Sequence, residues 1–447
     1  MRKLSVVATF AAASLALAAC SGGGGGTDTK TQNGGGSAAA TEVDLKAVDA
    51  AKATQVDVMT WWEAGSEKLG LEALVKVFLE QFPEVEFNNA AIAGGGGSQA
   101  KQKLAADLAA KNPPDTFQAH AGAELTDYIE AGQIMDVSAL YDEFELRKAF
   151  PATLLDRLTV DGKIYSVPSN VHRANVVWAN PAVLKEVGID PTKVPATIDE
   201  WIADMEKIKA AGKTPITVGM AWTQVHLLET ILLADLGVEK YNGLWDGTTK
   251  WDSADVTRAL NHFDAIMKLS DPALHNEDWQ PALQPVVDGK AAYNVMGDWA
   301  LAAYDESGKK AGTDYIYFPV PGTEGVFDFL ADSFTVPVGA KNIEGTKAWL
   351  KAISSPEGQV AFNTVKGSIP ARSDLSAEDI AKFSEYQQNA MKSFGEDTIV
   401  SSLAHGAAVP APVSSQISDV TKKFTEGAST LEEFQAELVS ATSSLQK

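Results

Sequence analysis

From about Gln55 onward the apolar residues switch between two spacings. "VDVMTWW" (56–62) reads as a strand. Leu71, Leu74, Val75, Phe78 and Leu79 then recur at i, i+3, i+4, i+7 and i+8, which predicts an amphipathic helix that Pro83 stops. "EVEFNNAAI" (84–92) predicts a second strand, and Gly94 to Gly97 a loop. Leu104 and Leu108 mark a helix ended by Pro113-Pro114, and "DTFQAH" (115–120) predicts a third strand. This alternation predicts an α/β fold, opening with a doubly wound lobe on a largely parallel sheet. In such sheets ligands bind beyond the C-terminal strand ends. Trp61-Trp62 and Gln118 with His120 fall at those ends. Gln118 and His120 are two apart on one strand and share a face.

The pattern continues past this lobe. "KIYSVPSNVHRANVVWAN" (163–180) is extended, and Thr197 to Glu200 is a capping box before a helix that Gly212 ends. "TPITVGM" (214–220) predicts a strand before the apolar helix "WTQVHLLETILLADLG" (222–237). "KAAYNVMGDWA" (290–300) predicts a strand running into a helix, with Asp298 as a possible cap. "VFDFLADSFTVP" (326–337) is extended, and Thr430 with Glu433 caps a last helix. No repeat of 20–50 residues is visible.

The N-terminus follows another logic. Arg2 and Lys3 precede an apolar run, Leu4 to Ala18, too short to span a bilayer comfortably. It ends in "LAAC", the bacterial lipoprotein pattern in which the cysteine is lipidated and becomes the new N-terminus. Cys20 is the single cysteine of 447 residues, so no second thiol exists for a disulfide. Residues 1–19 are therefore expected to be a signal peptide. Residues 20–54 follow as the lipidated Cys20 and a Gly/Ser-rich linker without apolar periodicity. The net charge of −22 argues against binding to nucleic acid or anionic lipid, both of which need clustered Lys and Arg. A length of 447 residues with 45% hydrophobic and 21% charged residues suits two or three packed domains.

Recognisable catalytic motifs are missing. Gly94–Gly97 is followed by Ser-Gln-Ala-Lys, which is neither a Walker loop nor GxGxxG. HExxH, GxSxG and zinc-spaced histidine clusters are absent too, so neither a metal nor a cofactor is expected. A pair of carboxylates of glycosidase type remains open from sequence, with Glu67 and Asp332 as the pair to test.

A succession of stretches carries a family likeness: "TWWEAGSE" (60–67), "PPDTFQAHAG" (113–122), "YSVPSNVHRANVVWAN" (165–180), "WTQVHLLE" (222–229), "GKAAYNVMGDWA" (289–300), "LADSFTVPVGAKN" (330–342), "VKGSIPAR" (365–372) and "SSLAHGA" (401–407). In this order they resemble the sugar-type bacterial extracellular solute-binding proteins, receptors of ABC importers, and more closely the glucose/mannose-binding members. The resemblance implies a two-lobed, periplasmic-binding-protein-like fold with the ligand in the cleft and two or three crossings between lobes. It places the N-lobe at 55–172 and 293–330, and the C-lobe at 173–292 and 331–447. It also implies a membrane permease with a separate ATPase as partners.

A pyranose has apolar ring faces that stack on indoles and a hydroxyl rim that needs planar or charged polar groups. The resemblance places Gln118, His120 and Glu67 on hydroxyls, and Trp279 and Trp299 as aromatic walls. Of Trp61 and Trp62 one is expected in the core and one on the cleft. Trp222 is a candidate on the same grounds, with core packing as its alternative. Asp332 is an acid inside an apolar run, and Lys366 and His405 stand alone among small or apolar residues. A buried polar group is costly without a partner, which points all three at the ligand. His172 is expected at a lobe crossing, behind the ligand or in the hinge. His226 is expected as a satisfied core histidine, and His262 and His275 on the surface.

Overall fold

The computed structural model describes residues 43–445. The signal peptide and Cys20 lie outside the described residues, as does most of the linker; its last part, 43–54, is packed rather than free, with Leu45 and Ala53 buried and Lys347 Nζ donating to Leu45 O at 2.9 Å and Val48 O at 2.8 Å. Three sheets organise the body. The first runs, in spatial order, Glu86–Asn89, Gln55–Met59, Thr116–His120, Asp332–Thr335 and Ser166–Pro168. Val56 and Val58 are fully buried on its strand Gln55–Met59, and Leu74 and Phe78 are buried on the helix Gly65–Gln81 that covers it. Each such side chain withdrawn from water stabilises by roughly 1.5–3 kcal/mol. Leu71, Leu74 and Phe78 of the predicted apolar face are buried and Val75 partly so, whereas Leu79 at its edge is exposed.

The second sheet is ordered Ile316–Pro319, Val176–Ala179, Ala291–Val295, Thr214–Thr217. Its apolar cover comes from Ile198–Ala210, Ala221–Asp246 and Ala254–Leu269. Thr197 caps the first of these, its hydroxyl accepting from Glu200 N–H at 3.2 Å. Ser253 caps the third. The last helix, Leu431–Ala441, has the full reciprocal box: Thr430 N–H donates to Glu433 Oε2 at 2.8 Å and Glu433 N–H donates to Thr430 Oγ1 at 3.2 Å.

The third sheet has three short strands, Thr398–Ser401, Val326–Leu330 and His172–Arg173. His172–Arg173 lies between Ser166–Pro168 of the first sheet and Val176–Ala179 of the second. Val326–Leu330 lies between Ile316–Pro319 of the second and Asp332–Thr335 of the first. Thr398–Ser401 connects helices packed on Gly65–Gln81 to helices packed on Ala221–Asp246.

Two expectations are corrected here. The first sheet is mixed rather than largely parallel: Gln55–Met59 is parallel to both neighbours, but Asp332–Thr335 runs antiparallel to Thr116–His120 and to Ser166–Pro168. The division at 293–330 and 331–447 also differs from the sheet pairing. Ala291–Val295 and Ile316–Pro319 pair with Val176–Ala179, whereas Asp332–Thr335 completes the first sheet. The helices Ile343–Ser354 and Pro356–Lys366 pack on Gly65–Gln81 of the first half. The physical reason is at Ala331. The run from Val326 to Thr335 is apolar and extended without a Gly or Pro break, yet it leaves one sheet at Leu330 and joins another at Asp332.

Candidate functional site

The exit of Thr116–His120 from the first sheet, the turn at Ala331 and the start of Ala300–Glu306 converge on one cavity. Counted with the space open to solvent, it measures about 460 Å³. Its aromatic side is built from Trp61, Trp222, Trp279 and Trp299. Trp61 follows the end of the first strand, and Trp279 opens the helix Trp279–Val287. Trp222 is fixed by its indole N–H, which donates to Asp278 Oδ1 at 3.0 Å, and Asp278 also caps the Trp279 helix. Gly97 has φ +88°, and a Cβ there would stand 2.7 Å from the Trp61 ring. The glycine tract thus lets the backbone lie directly against the indole.

Asp332 is the polar centre. Its Oδ1 accepts from Gln118 Nε2 at 2.9 Å and its Oδ2 from Asn170 Nδ2 at 2.8 Å. His172 Nε2 lies 3.2 Å from Oδ2, and His120 Nε2 lies 3.8 Å from Oδ1. Burial by itself would raise this carboxyl. The hydrogen bond and charge of His172, with the charges of His120 and Lys366, outweigh it and hold Asp332 far below the usual carboxylate range. His172 shows the converse. Burial lowers it, but Asp298 on Nδ1 and Asp332 on Nε2 hold it above its ordinary value.

The remaining polar groups sit around this centre. His120 Nδ1 donates to Glu124 Oε2 at 2.8 Å, and Lys101 Nζ donates to the same oxygen at 2.8 Å. Burial raises Glu124, but interaction with Lys101 and His120 brings it down to about 2. Lys366, buried, donates to Glu67 Oε1 at 3.1 Å and has its ammonium 5.8 Å from the Trp299 ring centre. Burial raises Glu67, with Lys366 opposing. His405 is buried against Trp222, Trp299, His120 and His226. Its Nδ1 is 2.9 Å from Ser402 Oγ, while its Nε2 has no protein partner. Burial pushes its imidazole well below the ordinary value, so it is neutral.

Nine of the sequence candidates therefore meet at the cavity: Trp61, Glu67, His120, Trp222, Trp279, Trp299, Asp332, Lys366 and His405. Two do not. Trp62 is fully buried against Phe334 and Phe362, because the chain leaves the strand at Met59 and turns consecutive indoles to different sides. Gln118 stands behind the cavity. Its Oε1 accepts from Trp61 N–H at 3.2 Å and its Nε2 donates to Asp332, so it orients lining groups. Asp298 is no side-chain cap. Its oxygens accept from His172 Nδ1 and from Arg173 N–H, the latter at 3.0 Å. His172 comes forward to line the cavity. His262 and His275 are half-buried rather than on the surface, and His262 pairs with Asp235 at 2.8 Å.

Sequence reasoning passed over Asp278 and Glu124. Both carried a signal: Asp278 precedes Trp279 as an N-cap residue, and Glu124 lies four residues beyond His120.

His226, Glu229 and His405 place potential metal-ligand atoms within 4.8 Å of one another. Part of their hydrogen-bonding capacity is committed, while His226 Nδ1 and His405 Nε2 have no protein partner. His226 Nε2 donates to Ala174 O at 2.9 Å, and Glu229 takes Ala404 N–H at 2.8 Å and Ser402 Oγ at 2.9 Å. Glu229, hydrogen-bonded to Ser402 and Ala404, ties this cluster into the wall of the site.

The site as built is a binding site: indole faces interleaved with hydrogen-bonding groups that other protein groups hold in place. Comparison with known proteins agrees. A family profile described as bacterial extracellular solute-binding protein matches residues 63–360. An uncharacterized ABC transporter extracellular-binding protein of Pyrococcus horikoshii is 34% identical over 374 residues, 83% of each chain. A probable sugar-binding periplasmic protein of Mesorhizobium japonicum is 32% identical over 402 residues, 88% of this chain and 94% of that one. Among solved structures, a chitin oligosaccharide binding protein superposes with a TM-score of 0.75 at 21% identity, covering 88% of this chain and 99% of that one. That likeness confirms the two-lobed fold. The chain belongs to the bacterial extracellular solute-binding proteins, receptors rather than enzymes.

Proposed function

We propose that this receptor captures a monosaccharide of the glucose/mannose type and hands it to an ABC permease driven by a separate ATPase. The observation that carries the reading is the cavity itself. Four indoles line it together with Asp332, Lys366, Glu67, His120 and His405. Indoles suit the C–H faces of a pyranose, and the rim suits its hydroxyls. Every hydroxyl stripped of water must be re-paired or costs about 1–3 kcal/mol, so the rim selects the sugar. In this reading Trp61, Trp222, Trp279 and Trp299 stack, Gln118 and His172 steady the polar groups, and Trp62 is structural.

The lobes close about the three-stranded sheet: two of its strands lie on connections between the other two sheets, and Thr398–Ser401 lies between the helices packed on each half. Such closure would change the surface presented to the permease. Cys20 carries a lipid that holds the receptor outside the membrane, and the residues between it and the packed segment that begins at Val43 serve as the leash. No helix among the described residues is long and apolar enough to cross a membrane.

Titration calorimetry against glucose, mannose, galactose, xylose and maltose tests the proposal. A response to glucose or mannose above the others supports it. Silence across the panel rejects it, and turnover of aryl glycosides would reject the receptor reading altogether. One observation favours a longer ligand as the second reading. Gly96 and Trp222 also border an outer groove of about 1130 Å³, lined in addition by Ser98, Lys101, Glu124 and Ser414. A second sugar unit or a polyol chain would lie there, and a preference for maltose in the same panel would select this reading.

A further inference from the structure

His405 lines the cavity, and the structure shows what stands behind one of its ring nitrogens. Its Nδ1 lies 2.9 Å from Ser402 Oγ. Ser402 Oγ in turn lies 2.9 Å from Glu229 Oε1 and 3.1 Å from Oε2. Glu229 Oε2 accepts from Ala404 N–H at 2.8 Å. Glu229, Ser402 and His405 thus form one chain from the helix Ala221–Asp246 to the cavity, with Glu229 and Ser402 fully buried. At the far end, His405 Nε2 is buried without a protein partner.

A neutral imidazole carries one proton on one of two nitrogens, and the partner of the first nitrogen decides the role of the second. We propose that Glu229, acting through Ser402, is a positioning residue that sets the tautomer of His405, and with it whether Nε2 donates a hydrogen bond to a ligand hydroxyl or accepts one. The proposal rests on the sugar-binding reading for the identity of that hydroxyl, but the relay itself does not need a ligand.

Two states follow. With Glu229 protonated on Oε1, its O–H donates to Ser402 Oγ, the Ser402 O–H donates to His405 Nδ1, and the imidazole proton sits on Nε2 as a donor. With Glu229 ionised, the Ser402 O–H donates to the carboxylate, His405 Nδ1–H donates to Ser402 Oγ, and Nε2 offers a lone pair. Passing from the first state to the second moves each proton one step along the chain and releases one from Nε2 to water. No other reactant is required.

Burial pushes the Glu229 carboxyl up to about 8, against the hydrogen bonds from Ala404 and Ser402. The donor state therefore prevails at neutral pH. Around the chain stand Asp328 and Tyr241 beside Glu229, and His226, His120, His172 and Asp332 beside His405. Burial and Glu229 raise Asp328 further, despite Arg173, so it keeps its proton while Glu229 titrates. Burial keeps His226 neutral over the same range, and the histidine charges near His405 disfavour a second proton on it.

The test follows the ring nitrogens of His405 by long-range 15N–1H correlation in the ligand-free full chain labelled with 15N-histidine. Comparison with His405→Gln assigns the signals. The wild type should show the Nε2–H tautomer at pH 6.5 and pass to Nδ1–H with a midpoint near pH 8. Glu229→Gln, whose amide can donate to Ser402 while its oxygen accepts from Ala404, should hold Nε2–H at every pH. Ser402→Ala should remove the midpoint. A single tautomer throughout in the wild type, or the same midpoint in Glu229→Gln, overturns the proposal. Should Glu229→Gln fail to fold, the wild-type titration and Ser402→Ala decide alone. A tautomer that shifts as expected in a protein that binds none of the sugars would leave the relay standing and reject the sugar reading.

Discussion

Replacing Asp332 by Asn keeps the size of the side chain and removes its charge, which isolates what the carboxylate does. In the wild type three donors converge on it: Gln118 at 2.9 Å, Asn170 at 2.8 Å and His172 at 3.2 Å. An amide Nδ2 in place of Oδ2 would face both Asn170 and His172. In place of Oδ1 it would face only Gln118, so this orientation costs less. Gln118 cannot relieve it by turning its own amide, because its Oε1 accepts from Trp61 N–H. One buried donor is then unsatisfied, at about 1–3 kcal/mol, and His172 loses a charged partner worth about 1.5–3 kcal/mol. The expected loss of unfolding free energy is about 3 kcal/mol in urea. Ligand binding should weaken at least tenfold, about 1.4 kcal/mol, as the acceptor on the cavity side is lost. Calorimetry and urea titration on the same preparation measure both. Binding within twofold of wild type, with an unchanged urea midpoint, would refute the reasoning about Asp332.

Three further outcomes follow from the geometry. Trp61→Ala should weaken sugar binding tenfold or more, whereas Trp62→Ala should cost about 3–5 kcal/mol of stability through the cavity it leaves; calorimetry and urea unfolding separate the two. Glu124→Gln should weaken binding several-fold by calorimetry, since it loosens the His120 ring and leaves Lys101 without its buried partner. The pH dependence of stability should carry the mark of His226, which burial pushes down to about 4. Its folded pKa is depressed below the unfolded value of about 6.5, so its contribution is present above 6.5 and is lost as pH falls toward 4, by roughly 3 kcal/mol. His226→Gln, which can still donate to Ala174 O, should flatten that part of the urea-stability profile.

The sequence carried the α/β alternation because its helices and strands differ in apolar period and end at Pro, Gly or a cap. It also carried the polar rim: an acid, a lysine and a histidine set among apolar or small residues needed partners, and in the structure they border one cavity. The change of sheet at Ala331 was not legible, because register and sheet membership are long-range and the local chain carries no break there. Trp61 and Trp62 could not be told apart, since strand alternation ceases at Met59, before either residue. Gln118 looked equivalent to His120 because both share a face of one strand. The distinction arises from Asp332, brought beside them from 214 residues further along, which engages the shorter-reaching amide behind the cavity.

The central claim is that the indole-lined cavity takes a single pyranose. Calorimetric titration of the mature protein with glucose, beside mannose, galactose, xylose and maltose, addresses it most directly. One-to-one saturable binding of glucose or mannose, abolished or weakened at least tenfold by Asp332→Asn, is the result predicted. No heat with any sugar of the panel, or equal binding by wild type and Asp332→Asn, would contradict it.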